Sequence, residues 1–213
     1  QQHSLHRIWK DDMLQLQEIL RPTNIVLISD EVYEHIVFDA QEHESASRFD
    51  DLAQRSFVCA SFGKTFHVTG WKMGYCAAPA ELMHEFRKTH QFAVFCVDHP
   101  VQRAMAKYLE NEHTYLELNA FYQEKRDFFL GGLEGSKFKF TPSEGTYFQL
   151  LDYTQITNES DEVLAKRLII DHKLASIPIS SFNVDNRQDG VLRFCFAKKR
   201  ETLKRAVDIL RKL

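Results

Sequence analysis

Two short apolar runs constrain the fold of this chain most strongly. Residues 25–29 and 57–60 are almost continuously apolar, and each run leads into polar residues. This pattern is typical of parallel strands that are buried on both faces of a sheet. Helical patterns precede the first run and follow the second, so the first part of the chain is predicted to be α/β.

Several segments repeat apolar residues at helical spacing. The first predicted helix contains Leu5, Met13 and Leu20 on one face and ends at Arg21-Pro22. A long helix is predicted from about 114 to 129, ending at the glycine pair 131–132. Further helices are predicted around 82–86, 101–109, 161–172 and 203–210.

The pattern changes after the glycine pair. Residues 138–140 and 147–151 flank a Thr-Pro-Ser-Glu-Gly turn, which predicts two antiparallel strands. Later strands are predicted near 174–178 and at 191–196, so this part is expected to be α+β. The boundary is placed inside the long helix, giving predicted domains 1–118 and 119–213.

Composition excludes several functional classes. The net charge is -3 with both signs interspersed, which argues against a nucleic-acid-binding protein. No apolar run approaches the roughly 18 residues of a membrane span, and no signal peptide is visible, so no membrane partner is expected. The 10 histidines show no metal-ligand spacing. Cys59, Cys76, Cys96 and Cys195 form no CxxC pair and are interpreted as buried, reduced thiols of a cytosolic protein.

Polar groups at the ends of the two apolar runs form the candidate site. Asp30 and Tyr33 follow the first run, and Ser61 and Lys64 follow the second, with Lys72 eight residues later. An amine, a carboxylate, and hydroxyls and cations for a phosphate are the groups that pyridoxal phosphate requires. Ligands of open α/β sheets bind at the carboxyl ends of strands, so Asp30 and Lys64 are expected to converge on one ligand.

Segments 28–34, 61–66 and 69–74 resemble the signatures of class I/II aminotransferases of fold type I. The resemblance is closest to methionine and kynurenine aminotransferases, and it continues through 144–148 and 192–199. It implies an α/β fold: a fold type I pyridoxal-phosphate-dependent transferase with part of a large domain, a mostly parallel sheet, and a C-terminal α+β small domain. Because family members are much longer, the chain is interpreted as their C-terminal portion. A cytoplasmic homodimer is also implied.

The resemblance implies a role for each candidate residue. Lys64 is expected to form a Schiff base with pyridoxal 5'-phosphate and to move the substrate proton. Asp30 is expected to pair with the ring nitrogen, Tyr33 to donate to the phenolic oxygen, and Ser61 and Lys72 to contact the phosphate. Taken alone, four of them have a plainer alternative: Asp30 as a helix cap, and Lys64, Ser61 and Lys72 as surface polar groups.

Substrate contacts are predicted for three further residues. Arg193 lies in an apolar strand on the face of Val191 and Cys195, where a partly buried arginine needs an anion, either a substrate α-carboxylate or a structural salt bridge. Tyr147 is expected to line the side-chain pocket, and Phe95 resembles a segment that reaches the neighbouring subunit's pocket in relatives. Such an aromatic pocket favours methionine, aromatic amino acids or kynurenine, with a 2-oxo acid as acceptor.

Other interpretations are weighed against this one. Gly63-Lys64-Thr65 lacks the earlier glycine of a nucleotide phosphate loop, and Ser61 with Lys64 lacks the companion motifs of acyl-enzyme serine hydrolases. Two alternatives stay open: a carbon–sulfur β-lyase acting on cysteine conjugates, which shares every motif quoted, and an inactive fragment that acts only through binding. The chain by itself is expected to have little aminotransferase activity.

Overall fold

The computed structural model describes residues 8–213, so Leu5 of the first predicted helix lies outside the described residues. Contacts divide the described chain into two compact units, 8–119 and Ala120–Leu213. The assignment of 1–118 and 119–213 to a large and a small domain stays a prediction. Within residues 8–213, no helix is long and apolar enough to cross a bilayer, and no cluster of His, Cys, Asp or Glu is placed to hold a metal ion.

The first unit is built around a small mixed sheet. Its strands are β1 Leu27–Asp30, β2 Ser56–Ser61 and β3 Gly74–Ala77. β2 lies in the middle, parallel to β1 and antiparallel to β3, so the carboxyl ends of β1 and β2 meet at one edge. The helices of this unit are α1 Lys10–Leu20, α2 Asp50–Ala53, α3 Phe62–Thr65, α4 Ala80–Ala93, α5 His99–Leu109 and α6 His113–Leu116.

One face of this sheet carries the core of the first unit. Val58 of β2 and the half-buried Leu27 of β1 pack with core residues of α1, α2 and the segment between the strands: Met13, Leu20, Ala46, Phe49 and Leu52. Side chains alternate along a strand, so Ile28 points to the other face, where it is 72% exposed. The prediction that both faces of the first apolar run are buried is therefore wrong for this edge strand.

The second unit combines an antiparallel sheet with three helices. Its elements are α7 Leu118–Leu133, β4 Phe148–Asp152, α8 Asp161–His172, β5 Ile177–Pro178, β6 Val191–Cys195 and α9 Arg200–Leu210, with strand order β4-β6-β5. Helix α8 has the predicted bounds. Ser160 explains its start, since the Ser160 hydroxyl accepts a hydrogen bond from the backbone of Val163.

The predicted hairpin of 138–140 with 147–151 is wrong. Only an isolated bridge joins Lys139 to Asp152, and β4 pairs instead with β6. The buried side chain of Gln149 holds the backbone of the turn between the two segments. Its Oε1 accepts from the Ser143 amide at 3.0 Å and its Nε2 donates to the Thr141 carbonyl at 2.8 Å.

Helix α7 also departs from the prediction. A short helix, α6, precedes it, and α7 continues through Gly131 and Gly132 to Leu133. Close packing explains the second glycine. A Cβ atom built on Gly132 would lie 2.8 Å from Cγ1 of Val207 in α9, whereas one built on Gly131 meets nothing within 4 Å. Gly132 therefore lets α9 approach, rather than ending the helix.

This contrast gives a stability prediction for the glycine pair. Gly131→Ala is expected to raise the free energy of unfolding by about 0.5–1 kcal/mol, because alanine favours the helix. At Gly132→Ala the same gain is opposed by overpacking against the stiff Val207 side chain, which typically costs about 1–3 kcal/mol. Chemical denaturation of the two variants tests the difference. Equal effects at both positions would contradict the close approach of α9.

The thiols lie at more accessible positions than predicted. Cys96 is exposed, and Cys59, Cys76 and Cys195 are half-buried. The predicted full burial is therefore wrong, and all four thiols are free. Cys59 and Cys76 are also not scattered, since they lie opposite each other on β2 and β3.

Candidate active site

The carboxyl ends of β1 and β2 bring Asp30 and Ser61 to the same edge of the sheet. Asp30 ends β1 and pairs with Cys59, so Ser61 lies two residues farther along β2. A strand rise of about 3.3 Å and a strand spacing of about 4.8 Å place the two Cα atoms about 8 Å apart. Strand alternation puts Asp30, Cys59 and Ser61 on the same face.

Asp30 presents an exposed carboxylate at this edge. Its Oδ1 accepts a 3.3 Å hydrogen bond from the Val32 amide, at the start of a turn that covers residues 32–35. The segment is a turn and not a helix, so the alternative that Asp30 caps a helix is wrong. A bond of this length leaves most of the acceptor capacity of the carboxylate for another donor.

The neighbouring Glu31 has the structural role instead. It is buried and accepts hydrogen bonds from the Ala46 amide at 2.9 Å and from Ser29 Oγ at 2.8 Å, with His43 Nε2 at 2.8 Å. Burial alone would raise its pKa, yet these hydrogen bonds outweigh burial and hold the pKa of Glu31 below its ordinary value. Sequence reasoning missed this residue, because two of these partners, Ala46 and His43, come from a loop more than ten residues away.

Tyr33 is half-buried in the turn that follows Asp30. The turn is joined to the far strand of the sheet, because the Tyr75 hydroxyl of β3 donates to Glu34 Oε1 at 2.6 Å. Burial, together with that hydrogen bond, raises the pKa of Tyr75. Tyr75 thus fixes the turn that carries Tyr33, a link that sequence reasoning missed.

Lys64 is held one turn beyond β2. Ser61 caps α3, since its Oγ accepts from the Gly63 amide at 3.1 Å. Gly63 fits tightly: an added Cβ would lie 2.9 Å from Thr69 Cα and 3.0 Å from Ser61 Oγ. The half-buried Lys64 therefore has a backbone position fixed by contacts on both sides.

Lys72 lies just before β3, at the edge of the sheet where β2 ends. The Phe62 amide donates to the Met73 carbonyl at 3.1 Å, and Gly74 pairs with Ser61. Lys72 itself is exposed and adopts the left-handed conformation, φ 54° and ψ 39°. That conformation costs a non-glycine residue roughly 1 kcal/mol or more, so the surrounding contacts hold it in place.

Arg193 has an unusual environment in the second unit. It pairs with Leu150 of β4 and Ile177 of β5, in the middle of the sheet. The guanidinium carbon lies 4.3 Å from the ring centroid of Phe148 and 4.9 Å from that of Phe182. Its Nε is buried and makes no hydrogen bond among the described residues. A buried donor without a partner is rare, and an anion is one of the groups that can satisfy it.

Tyr147 adjoins this arginine through Phe148. The rings of Tyr147 and Phe148 are 4.8 Å apart, and Tyr122 lies 5.7 Å from Tyr147. Burial, and then the nearby Tyr147 and Cys195, raise the pKa of Tyr122 to about 12. The structure thus brings Tyr147 and Arg193 together around Phe148.

Phe95 follows α4 and is 81% exposed. It has a positive φ of 68°, and its amide donates to the His90 carbonyl at 3.1 Å. A ring this exposed lines no pocket of its own unit, so a contact with a neighbouring subunit stays a prediction.

Comparisons with known proteins identify the family of this chain. The family model described as aminotransferase class I and II matches residues 9–210. The chain belongs to this aminotransferase family. The methionine aminotransferase of Escherichia coli is 43% identical over 209 residues, which cover 97% of this chain and 54% of that protein. A kynurenine–oxoglutarate transaminase of Dictyostelium discoideum is 32% identical, covering 96% of this chain and 52% of the relative.

Solved aminotransferases confirm the predicted fold class. The Escherichia coli methionine aminotransferase structure superposes with a TM-score of 0.93 at 42% identity, covering 96% of this chain and 55% of that one. The N-succinyldiaminopimelate aminotransferase of Mycobacterium tuberculosis gives 0.90 at 31% identity, covering 100% and 56%. The chain spans about half the length of the curated aminotransferases it matches.

Proposed function

We propose that the protein containing this chain transfers an amino group between an L-amino acid and a 2-oxo acid, using pyridoxal 5'-phosphate. The observation that carries the proposal is the edge of the β1–β2 pair. There a carboxylate, Asp30, and a hydroxyl, Ser61, share one face, and the amine of Lys64 follows one helical turn later.

The chemistry of these groups fits the cofactor. Its ring nitrogen is basic and suits the exposed carboxylate of Asp30, and its phosphate suits the Ser61 hydroxyl and the cation of Lys72. Tyr33 supplies a phenol that can donate to an anionic oxygen. When bound, pyridoxal phosphate supplies an electron sink for bonds at the substrate's Cα.

Lys64 would perform the covalent and proton-transfer work of the chain. Its amine would hold the cofactor, and the free amine would hold or move the proton of the substrate's Cα. The tight packing of Gly63 against Thr69 fixes the backbone beside Lys64, from which the amine extends. Loss of Asp30 or Lys64 would therefore affect turnover more than folding.

Arg193 would bind the carboxylate that amino acids and 2-oxo acids share. Two aromatic rings pack against its guanidinium, and its buried Nε makes no hydrogen bond among the described residues, so a carboxylate can supply the missing acceptor. With Tyr147 beside it, this aromatic environment favours methionine, aromatic or kynurenine-like donors. The methionine and kynurenine aminotransferases among the relatives support that substrate class.

Amino transfer by the intact protein tests the proposal directly. With pyridoxal phosphate, methionine and a 2-oxo acid, we expect saturable formation of the new amino acid, measured by chromatography. Cofactor binding without transfer to any of several 2-oxo acids would contradict the proposed reaction.

Arg193→Lys is expected to raise KM for the amino acid and for the 2-oxo acid alike. A buried, charge-assisted bidentate pair is worth about 2–3 kcal/mol, which corresponds to roughly 30- to 150-fold in kcat/KM. Arg200→Lys is the matched control, since Arg200 is 69% exposed and pairs with Glu124. A change confined to one substrate class would contradict the shared carboxylate role.

We also infer that the whole protein is a cytoplasmic homodimer. The segment after α4 supports self-association, because Phe92 and Phe95 are 87% and 81% exposed. Four free thiols suit a reducing compartment. Sedimentation of the intact protein tests the dimer, and fractionation of the source cells tests the compartment.

A further inference from the structure

Cys59 and Cys76 form a pair of neighbouring thiols that the proposed reaction does not use. They lie opposite each other on the antiparallel strands β2 and β3, and their Sγ atoms are 3.7 Å apart. Both are half-buried, and therefore partly accessible. Because Cys59 also pairs with Asp30 on its other side, the thiols share the face of the sheet that carries the Asp30 carboxylate.

The hydrogen-bond register decides which type of pair this is. The Phe62 amide donates to Met73 across the two strands, so residues 62 and 73 form a hydrogen-bonded pair. Antiparallel pairs alternate, and three positions earlier Cys59 and Cys76 form a non-hydrogen-bonded pair. The backbone of Cys59 is consistent with this assignment. Its carbonyl is directed towards β1 and not towards β3, since it accepts a 2.7 Å hydrogen bond from the amide of Glu31, directly after β1.

Non-hydrogen-bonded pairs have the closer side chains. Their Cα atoms are about 4.5 Å apart. This separation falls within the range of about 4.4–6.8 Å that disulfides span. The two sulfurs can therefore bond by a small rotation of the side chains, without a shift of either strand.

We propose that Cys59 and Cys76 are a reversible disulfide-forming site that joins β2 to β3 next to the candidate cofactor site. The oxidant is a low-molecular-weight disulfide such as oxidised glutathione. The site extends beyond the proposed function, because its formation requires neither substrate nor turnover.

The reaction balances as two thiol–disulfide exchanges. The Cys59 thiolate attacks one sulfur of oxidised glutathione, forms a mixed disulfide and releases one glutathione thiolate. Cys76 then gives its proton to solvent, attacks the Cys59 sulfur and releases the second glutathione. Two protein thiols lose two electrons, and one glutathione disulfide is reduced to two thiols. Excess thiol runs both steps backwards.

The environment of Cys76 suits it to the second step. Burial and the adjacent Cys59 raise the pKa of Cys76 to about 11, so at neutral pH it is a weak attacking group in solution. Once Cys59 carries a mixed disulfide, however, the Cys76 sulfur lies beside the sulfur that it attacks. This proximity compensates for the small fraction of Cys76 that is thiolate. Cys96 is exposed, and with oxidised glutathione it forms a mixed disulfide that persists unless another thiol attacks it.

Thiol mapping of the intact, cofactor-loaded protein tests the site. The protein is treated with oxidised glutathione until Cys96 is fully modified, then alkylated, digested and analysed by mass spectrometry. We expect most of the Cys59 and Cys76 peptides to appear linked, with a mass lower by two hydrogens than the sum of the reduced peptides. Dithiothreitol should restore both thiols.

Serine variants provide the controls. Cys96→Ser should leave the linked peptide unchanged, whereas Cys76→Ser should give a stable mixed disulfide on Cys59. The proposal is overturned if Cys59 and Cys76 remain alkylated, or carry separate glutathiones, while Cys96 is fully modified. Because this assay does not depend on amino transfer, its result is distinguishable from failure of the proposed function.

Discussion

Replacing Lys64 by alanine is expected to lower kcat of the intact protein by about 10⁴-fold. A positioned acid–base group typically contributes about 10²- to 10⁴-fold, and the same substitution removes the nucleophile that attaches the cofactor. The expected result is measured as single-turnover amino transfer at saturating cofactor, so that weaker cofactor binding does not enter the rate. Lys88→Ala is the matched control, because Lys88 is 55% exposed and pairs with Glu85 of the same helix.

Covalent labelling gives an independent measure of the same role. Borohydride reduction of the cofactor-loaded protein, followed by peptide mapping, should place the label on Lys64. If the label were found on Lys72, the assignment of Lys64 as the residue that attaches the cofactor would be wrong. Near wild-type turnover in Lys64→Ala would contradict both the covalent and the proton-transfer roles.

Local sequence signals predicted the elements whose causes are local. Helix α8 has the predicted bounds, and its start has a local cause, because the side chain of Ser160 caps it. The glycine pair in α7 misled the prediction, because Gly132 is explained by Val207, a contact 75 residues away in sequence. The hairpin prediction likewise missed that β4 pairs with β6, a strand about 40 residues later in the sequence. Periodicity does not contain such tertiary contacts.

The residues of the candidate site also differ in whether their positions have local or distant causes. Asp30 and Lys64 could be predicted because each follows an apolar run, and parallel pairing then brings their strand ends together. Glu31 and Tyr75 could not, since Glu31 acts through a distant loop and Tyr75 through the turn beyond β1. For Arg193 the sequence allowed two partners, a substrate carboxylate or a structural salt bridge. The buried Nε without a hydrogen-bond partner favours the substrate carboxylate.

Asp30→Asn is expected to reduce kcat by about 10²- to 10³-fold while the protein keeps its cofactor. The amide has the size of the carboxylate but no charge, so it no longer holds a proton on the cofactor's ring nitrogen, and a positioned electrostatic group of this kind typically contributes that much. The Val32 amide can still donate to the side-chain oxygen, so the turn is retained. The measurement is kcat together with the cofactor's visible absorbance after gel filtration.

Asp50→Asn is the matched control for this charge removal. Asp50 is exposed in the first turn of α2, on the same unit but away from the β1–β2 edge, so kcat should change little. If Asp30→Asn lost cofactor without a lower kcat at saturation, Asp30 would be a binding group and not the ring partner. Unchanged kcat and unchanged absorbance would instead assign the ring nitrogen to another acid, and Asp30 would then be a solvated surface carboxylate.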